Sequence, residues 1–583
     1  MVVTAAHGAW TLRAASEAAA KTLCDHGYSP LLAQLLALRG IASPAQAQSF
    51  LSPALRDLPD PWLLKDCRLA AQILAEALER RESIWIYGDY DVDGISSAAL
   101  LQCVLQALGA GDGVQVFLPD RLADGYGLNG KCLTRLVDAG AQLIVSVDCG
   151  ATAWQEIAAV RARGVRFVVI DHHALGLQPV HADAFVNPKQ PGCSYPDPHL
   201  CAVGLAFVVA QGLRRLMAER GSAAAAQLDL KSVLEFAALG TIADVAHLQQ
   251  VNRTLAWHGL RRLGTTQRPG IQALAKHLPV EGVQADRIGF QLAPKINAAG
   301  RIADPRTAFD LLVTTDPAHG EQLATQLDVA NNARREMSQQ VIQEALALAL
   351  QLPCREHAVV VAGRGWHQGV VGIVAARLAE QLGVPAIVLA IDDQGEARGS
   401  ARSAHGYDLV EGLHRIADGV LGRYGGHAYA AGMSLPADCI DELYQRIRRD
   451  AAEQLPPPPR TTPLTLDAEL ELEVLDLELV GLIEQLEPFG KGNAKPRFLL
   501  RDLELAKLDR VGKDQQWVRG LLAAPGPQPL YARATVACFG PLHAFAGVTR
   551  GDRVDVATTV DRNVWQGKSS VQLRIDAVRP AVQ

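Results

Sequence analysis

No stretch of this chain stays apolar for the eighteen or more residues that a membrane span needs, so no membrane association is expected. The opening residues, MVVTAAHGAWTLRAASEAAA, lack a basic region followed by an apolar core, and no secretory leader is expected. The ten cysteines contain no CxxC pair and no regular spacing, which argues against a disulfide frame or a structural zinc site. They read as thiols of a reducing compartment, and a cytoplasmic location is expected. A global excess of positive charge is also missing, because 56 Lys and Arg stand against 62 Asp and Glu, a net charge of −6. Any surface for a polyanion must therefore be a local patch.

What is present is an ordinary globular balance, 49% hydrophobic and 20% charged over 583 residues, enough for roughly three or four domains. Residues 1–70 read as a helical extension. From about residue 80, short apolar runs alternate with amphipathic ones: IWIY (84–87), VQVFL (114–118), LIVSV (143–147) and FVVI (167–170), with helical stretches between them. That alternation predicts a parallel sheet covered on both faces, in a domain over 71–315. The segment QLATQLDVANNARREMSQQVIQEALALALQ (322–351) has helical periodicity and, if continuous, is roughly 45 Å long at 1.5 Å per residue; a connecting helix is placed at 316–353. A smaller α/β domain follows at 354–453, opening with AVVVAG (358–363), and the proline-rich QLPPPPRTTP (454–463) reads as a linker.

The tail, 464–583, breaks into short strand-like pieces that suit a small β-barrel. Residues 467–487 carry eight acidic side chains and no basic ones, whereas 488–583 carry fifteen Lys and Arg against eight Asp and Glu. Trp517, Tyr531, Phe539, Phe545 and Trp565 are interleaved with that positive charge, a pattern that suits single-stranded nucleic acid. The competing reading is that the aromatics are core and the charges merely solvated.

Three acidic clusters fall just past strands: YGDYDVDG (Asp89, Asp91, Asp93), VDCG (Asp148) and IDHH (Asp171, His172, His173). One such aspartate is ordinarily a helix cap. Three clusters at successive strand ends converge where open parallel sheets bind ligands. Converging carboxylates repel unless a cation neutralises them, and carboxylates with imidazole suit Mn²⁺, whereas carboxylates and water suit Mg²⁺. The ligand count suffices for two metals about 3.5–4 Å apart, an arrangement that activates water and steadies a leaving oxygen in phosphodiester hydrolysis. Amide groups at the start of the GISSAAL helix, placed after Gly94, are a further expected anion site.

DYDVDG, VDCG, DHH and GTIADV (240–245) together resemble the motif series of the DHH phosphoesterases. The likeness extends to LPDRLADGYGL (118–128) and APKINAAGR (293–301). GWHQGVVGIVAARL (365–378), ARGSARS (397–403) and RYGGHAYAAGMSL (423–435) resemble the accompanying DHHA1 domain. The match is nearest to the family's single-strand-specific 5′ to 3′ exonucleases. The resemblance implies a DHH domain, a long helix, a DHHA1 domain and a C-terminal OB-fold domain. It implies two divalent cations, Mn²⁺ or Mg²⁺, on Asp89, Asp91, Asp93, Asp148, His172 and Asp244, with Asp148 bridging. By the same resemblance His173 faces the scissile phosphate and Asp171 orients its neighbours. Arg121, Asn297, Arg301, Ser400 and Arg402 would contact phosphate, some of them at the 5′ end, and the motif holding His427 would cover the substrate. His367, in the glycine-rich turn GWHQG, reads equally as ligand-facing or as a structural donor, and His405 reads as structural.

The implied activity is metal-dependent hydrolysis of single-stranded DNA from the 5′ end to 5′-mononucleotides in repair and recombination. The implied partners are a single-strand-binding protein and a helicase, and the implied state is a monomer. Two alternatives share the motifs: a pyrophosphatase or phosphodiesterase for cyclic dinucleotides or short oligonucleotides, and a non-catalytic single-strand-binding scaffold.

Overall fold

The structure is a computed structural model that describes residues 9–121, 123–125, 127–276, 283–457, 463–512, 515–530 and 533–581. Tyr531, two residues of the 118–128 motif and part of the proline-rich linker lie outside that range. The chain divides into two compact units: residues 53–337 with 488–494, and residues 1–52 with 338–487 and 495–583. The helix Pro317–Gln351 runs through the boundary between them.

The first unit is built on a five-stranded, wholly parallel sheet in the order Val114–Phe117, Ile84–Gly88, Leu143–Val147, Arg166–Ile170, Ala184–Val186. Leu143–Val147 is buried at every position and Arg166–Ile170 at all but its first. Such strands are rich in Val and Ile because both faces are covered by helices. The helix Val92–Leu105, which follows the first strand, is buried at twelve named positions and forms the centre of that core. Its extension to Gly113 has the length and apolarity to cross a membrane, yet 61% of that window is buried inside the protein; this is what a helix wrapped on all sides by its own domain looks like. Helices Ala202–Glu219, Leu234–Ala243 and Ala293–Ile302 pack against it, and Gln250–Leu263 packs on Leu234–Ala243.

The strand order reverses direction at Ile84–Gly88. Its chain neighbour Val114–Phe117 lies on one side and Leu143–Val147 on the other. A crevice opens at such a point beyond the carboxyl ends of the strands. Asp89 and Asp148 are the first residues past those two strand ends.

The second unit holds a mixed five-stranded sheet, ordered Arg423–His427, Ala430–Pro436, Glu396–Arg402, Ala386–Ile391, Val359–Arg364. Only the pair Val359–Arg364 and Ala386–Ile391 is parallel. It also holds a six-stranded barrel closed by Phe498–Val511 pairing with both Trp517–Ala523 and Arg553–Trp565. The N-terminal residues contribute helices Glu17–Asp25, Pro30–Ala37 and Pro44–Leu51. They also contribute a strand, Trp10–Leu12, that pairs in parallel with Leu464–Leu466, so this segment is not purely helical. All ten cysteines are unpaired.

Candidate metal centre

Asp91 caps the helix Val92–Leu105: its Oδ1 accepts the N–H groups of Asp93 at 2.9 Å and Gly94 at 3.2 Å. Asn297 Oδ1 accepts the Val92 N–H at 3.2 Å, and the Ile95 N–H bonds the Asp91 carbonyl. The helix therefore starts two residues before Gly94, and its first amides are already satisfied. The expected anion site on the GISSAAL amides is corrected accordingly. Gly94 cannot carry a side chain, because a Cβ would stand 2.6 Å from the Asp89 nitrogen.

Asp93 points the other way. Both its oxygens accept N–H groups at the start of helix Ala202–Glu219, from Ala202 at 2.8 Å and Val203 at 2.9 Å, where the helix dipole favours a negative charge. Asp148 occupies the left-handed region, φ 62°, which costs a non-glycine residue on the order of 1 kcal/mol. Its N–H is tied to the Ile170 carbonyl at 3.0 Å, and the Asp171 N–H is tied to that of Val186. The sheet ladder thus fixes both acidic loops. Asp244 ends helix Leu234–Ala243, and the next residue, Val245, also has a positive φ, 54°, a strained conformation for a β-branched side chain.

These elements bring the ligand atoms together. Asp89, Asp91 and Asp148 offer oxygens within 4.8 Å of one another; so do the ligand atoms of Asp93, His172 and Asp244, and those of Asp148, His172 and His173. Asp148 and His172 each belong to two of the groups, and His172 Nε2 lies 3.2 Å from Asp148 Oδ1. Asp89 is 2% exposed, Asp93 1% and Asp148 3%, and Asp89 Oδ1 has no hydrogen-bond partner among the described residues.

Burial first, and the charge of neighbouring carboxylates second, push Asp89, Asp93 and Asp148 well above the usual carboxylate range. The Asp244 carboxyl is pushed up to about 7, by its partly desolvated surroundings and then by Asp91. A cluster of this kind is costly with protons removed and nothing bound, and divalent cations relieve the cost. Hard oxygen donors with one or two imidazoles, and an orphaned buried oxygen among them, fit two Mn²⁺ or Mg²⁺ ions.

Asp171 differs from the other acids. Its Oδ2 accepts the Ala151 N–H at 2.7 Å, and its Oδ1 pairs with His173 Nδ1 at 2.7 Å and accepts the His173 N–H at 3.1 Å. Burial raises its pKa, but the His173 hydrogen bond and the charges of His173 and His172 outweigh that and lower it. For His173, burial works downward and the Asp171 bond and charge prevail, so its pKa is raised.

Arg121 stacks over the Tyr90 ring at 5.1 Å. Helix Ala293–Ile302, which bears Asn297 and Arg301, approaches so closely that a Cβ on Gly300 would lie 2.4 Å from the Tyr90 carbonyl. Asn297 is thus engaged with the aspartate loop itself. Ser400, Arg402 and His427 belong to the other unit. There Ser400 Oγ and Arg402 Nη2 each lie 3.2 Å from where a Cβ on Gly372 would be. Ala430 pairs with both Arg402 and His427 across adjacent strands. His367 caps helix Gln368–Leu382 by accepting the Gly369 N–H, and His405 sits against Gly383 at the end of that helix.

Two cations were missed in the sequence. Lys189 donates to the His172 carbonyl, and Lys491 acts with it on the charge of Asp244. Lys189 follows the short strand Ala184–Val186, so the rule of strand ends was the available signal; nothing local marks Lys491.

In the barrel, Trp517 is 39% exposed and stacks on Phe539 at 5.1 Å with planes 7° apart. Trp565 is 72% exposed, whereas Phe545 is buried and belongs to the core.

Family models match in the same order. The N-terminal domain of the DHH family covers residues 83–241, the DHHA1 domain 356–453 and the RecJ OB domain 466–577. The chain is 33% identical over 570 residues to the single-stranded-DNA-specific exonuclease RecJ of Bacillus subtilis, covering 97% of this chain and 70% of that one. It is 34% identical to the protein of the same name from Dickeya dadantii, covering 96% and 98%. The crystal structure of Thermus thermophilus RecJ in complex with Mn²⁺ superposes with a TM-score of 0.82 at 28% identity, covering 99% of this chain and 80% of that one. The same enzyme in complex with Mg²⁺ gives 0.76. A third of the residues shared with such relatives over nearly the whole chain, and three matching domains in one order, establish that the chain belongs to the RecJ family.

Proposed function

We propose that the chain is a metal-dependent exonuclease that hydrolyses single-stranded DNA from the 5′ end and releases 5′-mononucleotides. The observation that carries this reading is the convergence of Asp89, Asp91, Asp93, Asp148, His172 and Asp244, of which Asp89, Asp93 and Asp148 are buried, at the point where the strand order reverses. Asp89, Asp91 and Asp148 would hold one cation and Asp93, His172 and Asp244 the other, the two sets meeting where Asp148 lies against His172.

When bound, the cations supply the positive charge that activates water and offsets the charge of the phosphodiester in the transition state. The residues around them bind and orient. Asp171 holds His173 by its Nδ1 and favours its protonated form, in which His173 would offer a charged hydrogen bond to a phosphate oxygen. Asn297 fixes the start of the helix that carries Asp91 and Asp93. Arg121 and Arg301 grip backbone phosphates, and Ser400 and Arg402, with His427 two strands away, receive the 5′-terminal phosphate. Trp517, backed by Phe539, and Trp565 offer stacking faces for bases. We assign the activity to DNA repair and recombination in the cytoplasm, carried out by a monomer that works alongside a single-strand-binding protein and a helicase.

Digestion of 5′-labelled single strands of graded length, with Mn²⁺ and then Mg²⁺, tests the reading. Release of labelled mononucleotide from long strands is expected. Hydrolysis confined to dinucleotides or pyrophosphate would contradict it.

A further inference from the structure

The segment Pro488–Ala494 belongs to the unit that carries the acidic cluster, although the chain before it, to Glu487, and after it, from Lys495, belongs to the other unit. It is held by its backbone. The Leu248 N–H donates to the Lys491 carbonyl at 2.8 Å, the Gln249 side-chain amide to the Gly492 carbonyl at 2.9 Å, and the buried Arg253 to the Pro488 carbonyl at 3.3 Å. Asn493, also buried, donates to the Pro488 carbonyl at 2.8 Å and braces the segment from within. Gly490 and Gly492 let it lie close: a Cβ on them would stand 2.7 Å from Leu248 and 3.1 Å from His247. The anchor residues 247–249 follow Asp244 after only Val245 and Ala246, so the segment is fixed relative to the metal centre by a chain of short contacts.

Lys491 is exposed and takes no part in this anchoring through its side chain. Among the described residues the lysines that ion-pair are Lys276, Lys295, Lys495 and Lys507; Lys491 and Lys189 are not among them. Lys189 is held by the His172 carbonyl. Lys189 is thus fixed beside His172, and Lys491 rides on a segment bonded to residues 248 and 249, so both place positive charge on the Asp244 side of the cluster. With nothing bound, the acidic cluster offsets them. Two divalent cations would offset most of the negative charge of Asp89, Asp91, Asp93, Asp148 and Asp244 and so release the two lysines at its edge from that offset. That arrangement calls for an anion.

We propose that Lys491 and Lys189 form a phosphate clamp on the Asp244 side of the metal centre, gripping the nucleic-acid backbone beside the bond that is cut. The proposal rests on the nuclease reading above. Lysine suits the task because its ammonium is a point charge with rotatable donors and accepts a sliding strand without one fixed geometry. The clamp acts by charge, so arginine should replace lysine in it and glutamine should not.

The test is binding of a phosphorothioate-linked, uncleavable single strand to the full chain with Mn²⁺, read by fluorescence anisotropy across a salt series. Lys491→Gln and Lys189→Gln should each weaken binding about tenfold, as expected for loss of a charge-assisted contact. Each should also make the slope of log K against log salt shallower by about 0.7, the value for one phosphate contact to a single strand. Lys491→Arg should restore both. Calorimetric Mn²⁺ affinity should not fall in the glutamine variants, because a neighbouring cation has been removed. Unchanged affinity and slope in both glutamine variants would overturn the clamp. A changed slope in a protein that cuts no cleavable strand would leave the clamp standing and refute the exonuclease reading instead.

Discussion

His173 Nδ1 lies 2.7 Å from Asp171 Oδ1, while the other Asp171 oxygen accepts the Ala151 N–H at the same distance. The carboxylate is thus fully committed to protein donors and sets both the orientation and the charge of the imidazole. Asp171→Asn removes that support. Turnover should fall about 10- to 100-fold, as for other partners that orient an active-site histidine. Asp171 is also what holds the His173 pKa up against burial. In the variant that support is gone and only the charges of Asp244 and Asp89 still oppose burial, so His173 should lose its proton at lower pH and the alkaline limb of the rate profile should move to lower pH. A pH–rate profile of the two proteins, with Mn²⁺ binding measured beside it, checks this. An unmoved alkaline limb would remove His173 from the mechanism.

The raised carboxylates make stability depend on pH in a definite direction. A carboxyl whose folded pKa exceeds its unfolded value stabilises the fold while it stays protonated and ceases to do so as pH rises. For Asp244 that window runs from the ordinary carboxylate range, about 4, to about 7; Asp89, Asp93 and Asp148, also raised, act in the same direction. The metal-free protein should therefore lose stability as pH rises through that window, and Mn²⁺ should restore it. The difference in Tm between Mn²⁺-loaded and chelator-treated protein should widen from pH 5 to pH 8. Metal binding should also release protons, visible as a dependence of the calorimetric enthalpy on the buffer. A constant Tm difference would contradict the assignment of these residues.

Close packing behind the ligands gives a purely steric prediction. A Cβ on Gly240 would stand 2.6 Å from Asp93 Oδ1 and 2.7 Å from a Val203 methyl. Gly240→Ala should displace Asp93 from the start of helix Ala202–Glu219 and cost about 1–3 kcal/mol of stability, the usual penalty for overpacking. Chemical denaturation with a matched Mn²⁺ titration measures both effects.

The barrel separates stacking faces from core. Trp517→Ala and Trp565→Ala should each weaken single-strand binding by about 1–3 kcal/mol, the range for loss of a base-stacking partner, with little change in Tm. Phe545→Ala should instead lower the stability of the barrel by about 3–5 kcal/mol, since that ring is buried. Binding titrations and thermal melts of the three variants distinguish these outcomes.

Much of the sheet and its acidic edge can be read from the chain alone. Runs such as LIVSV and FVVI are unambiguous strands, and aspartates just beyond them have only one side of the sheet on which to gather. The strand Ala184–Val186 is three residues long and has no such signature, so Lys189 behind it escapes notice. Trp517–Ala523 contains Gly520, which interrupts its pattern, and it becomes a strand because the barrel offers it neighbours on both sides. Asp93 reads as a ligand in a motif; its bonds to Ala202 and Val203 depend on a helix more than a hundred residues away. Lys491 is more distant still and depends on carbonyl contacts that no local pattern encodes. Phe545 shows the converse limit, since an aromatic among basic residues reads the same whether it faces solvent or core.

The central claim is a two-cation centre built around Asp148, and it is tested most directly by calorimetric titration of Mn²⁺ into the intact chain and into Asp148→Ala. Two ions per chain are expected for the unaltered protein. In the variant at least one ion should be lost, together with hydrolysis of single-stranded DNA. Two ions bound with unchanged affinity by Asp148→Ala, or no Mn²⁺ bound by the unaltered chain, would contradict it.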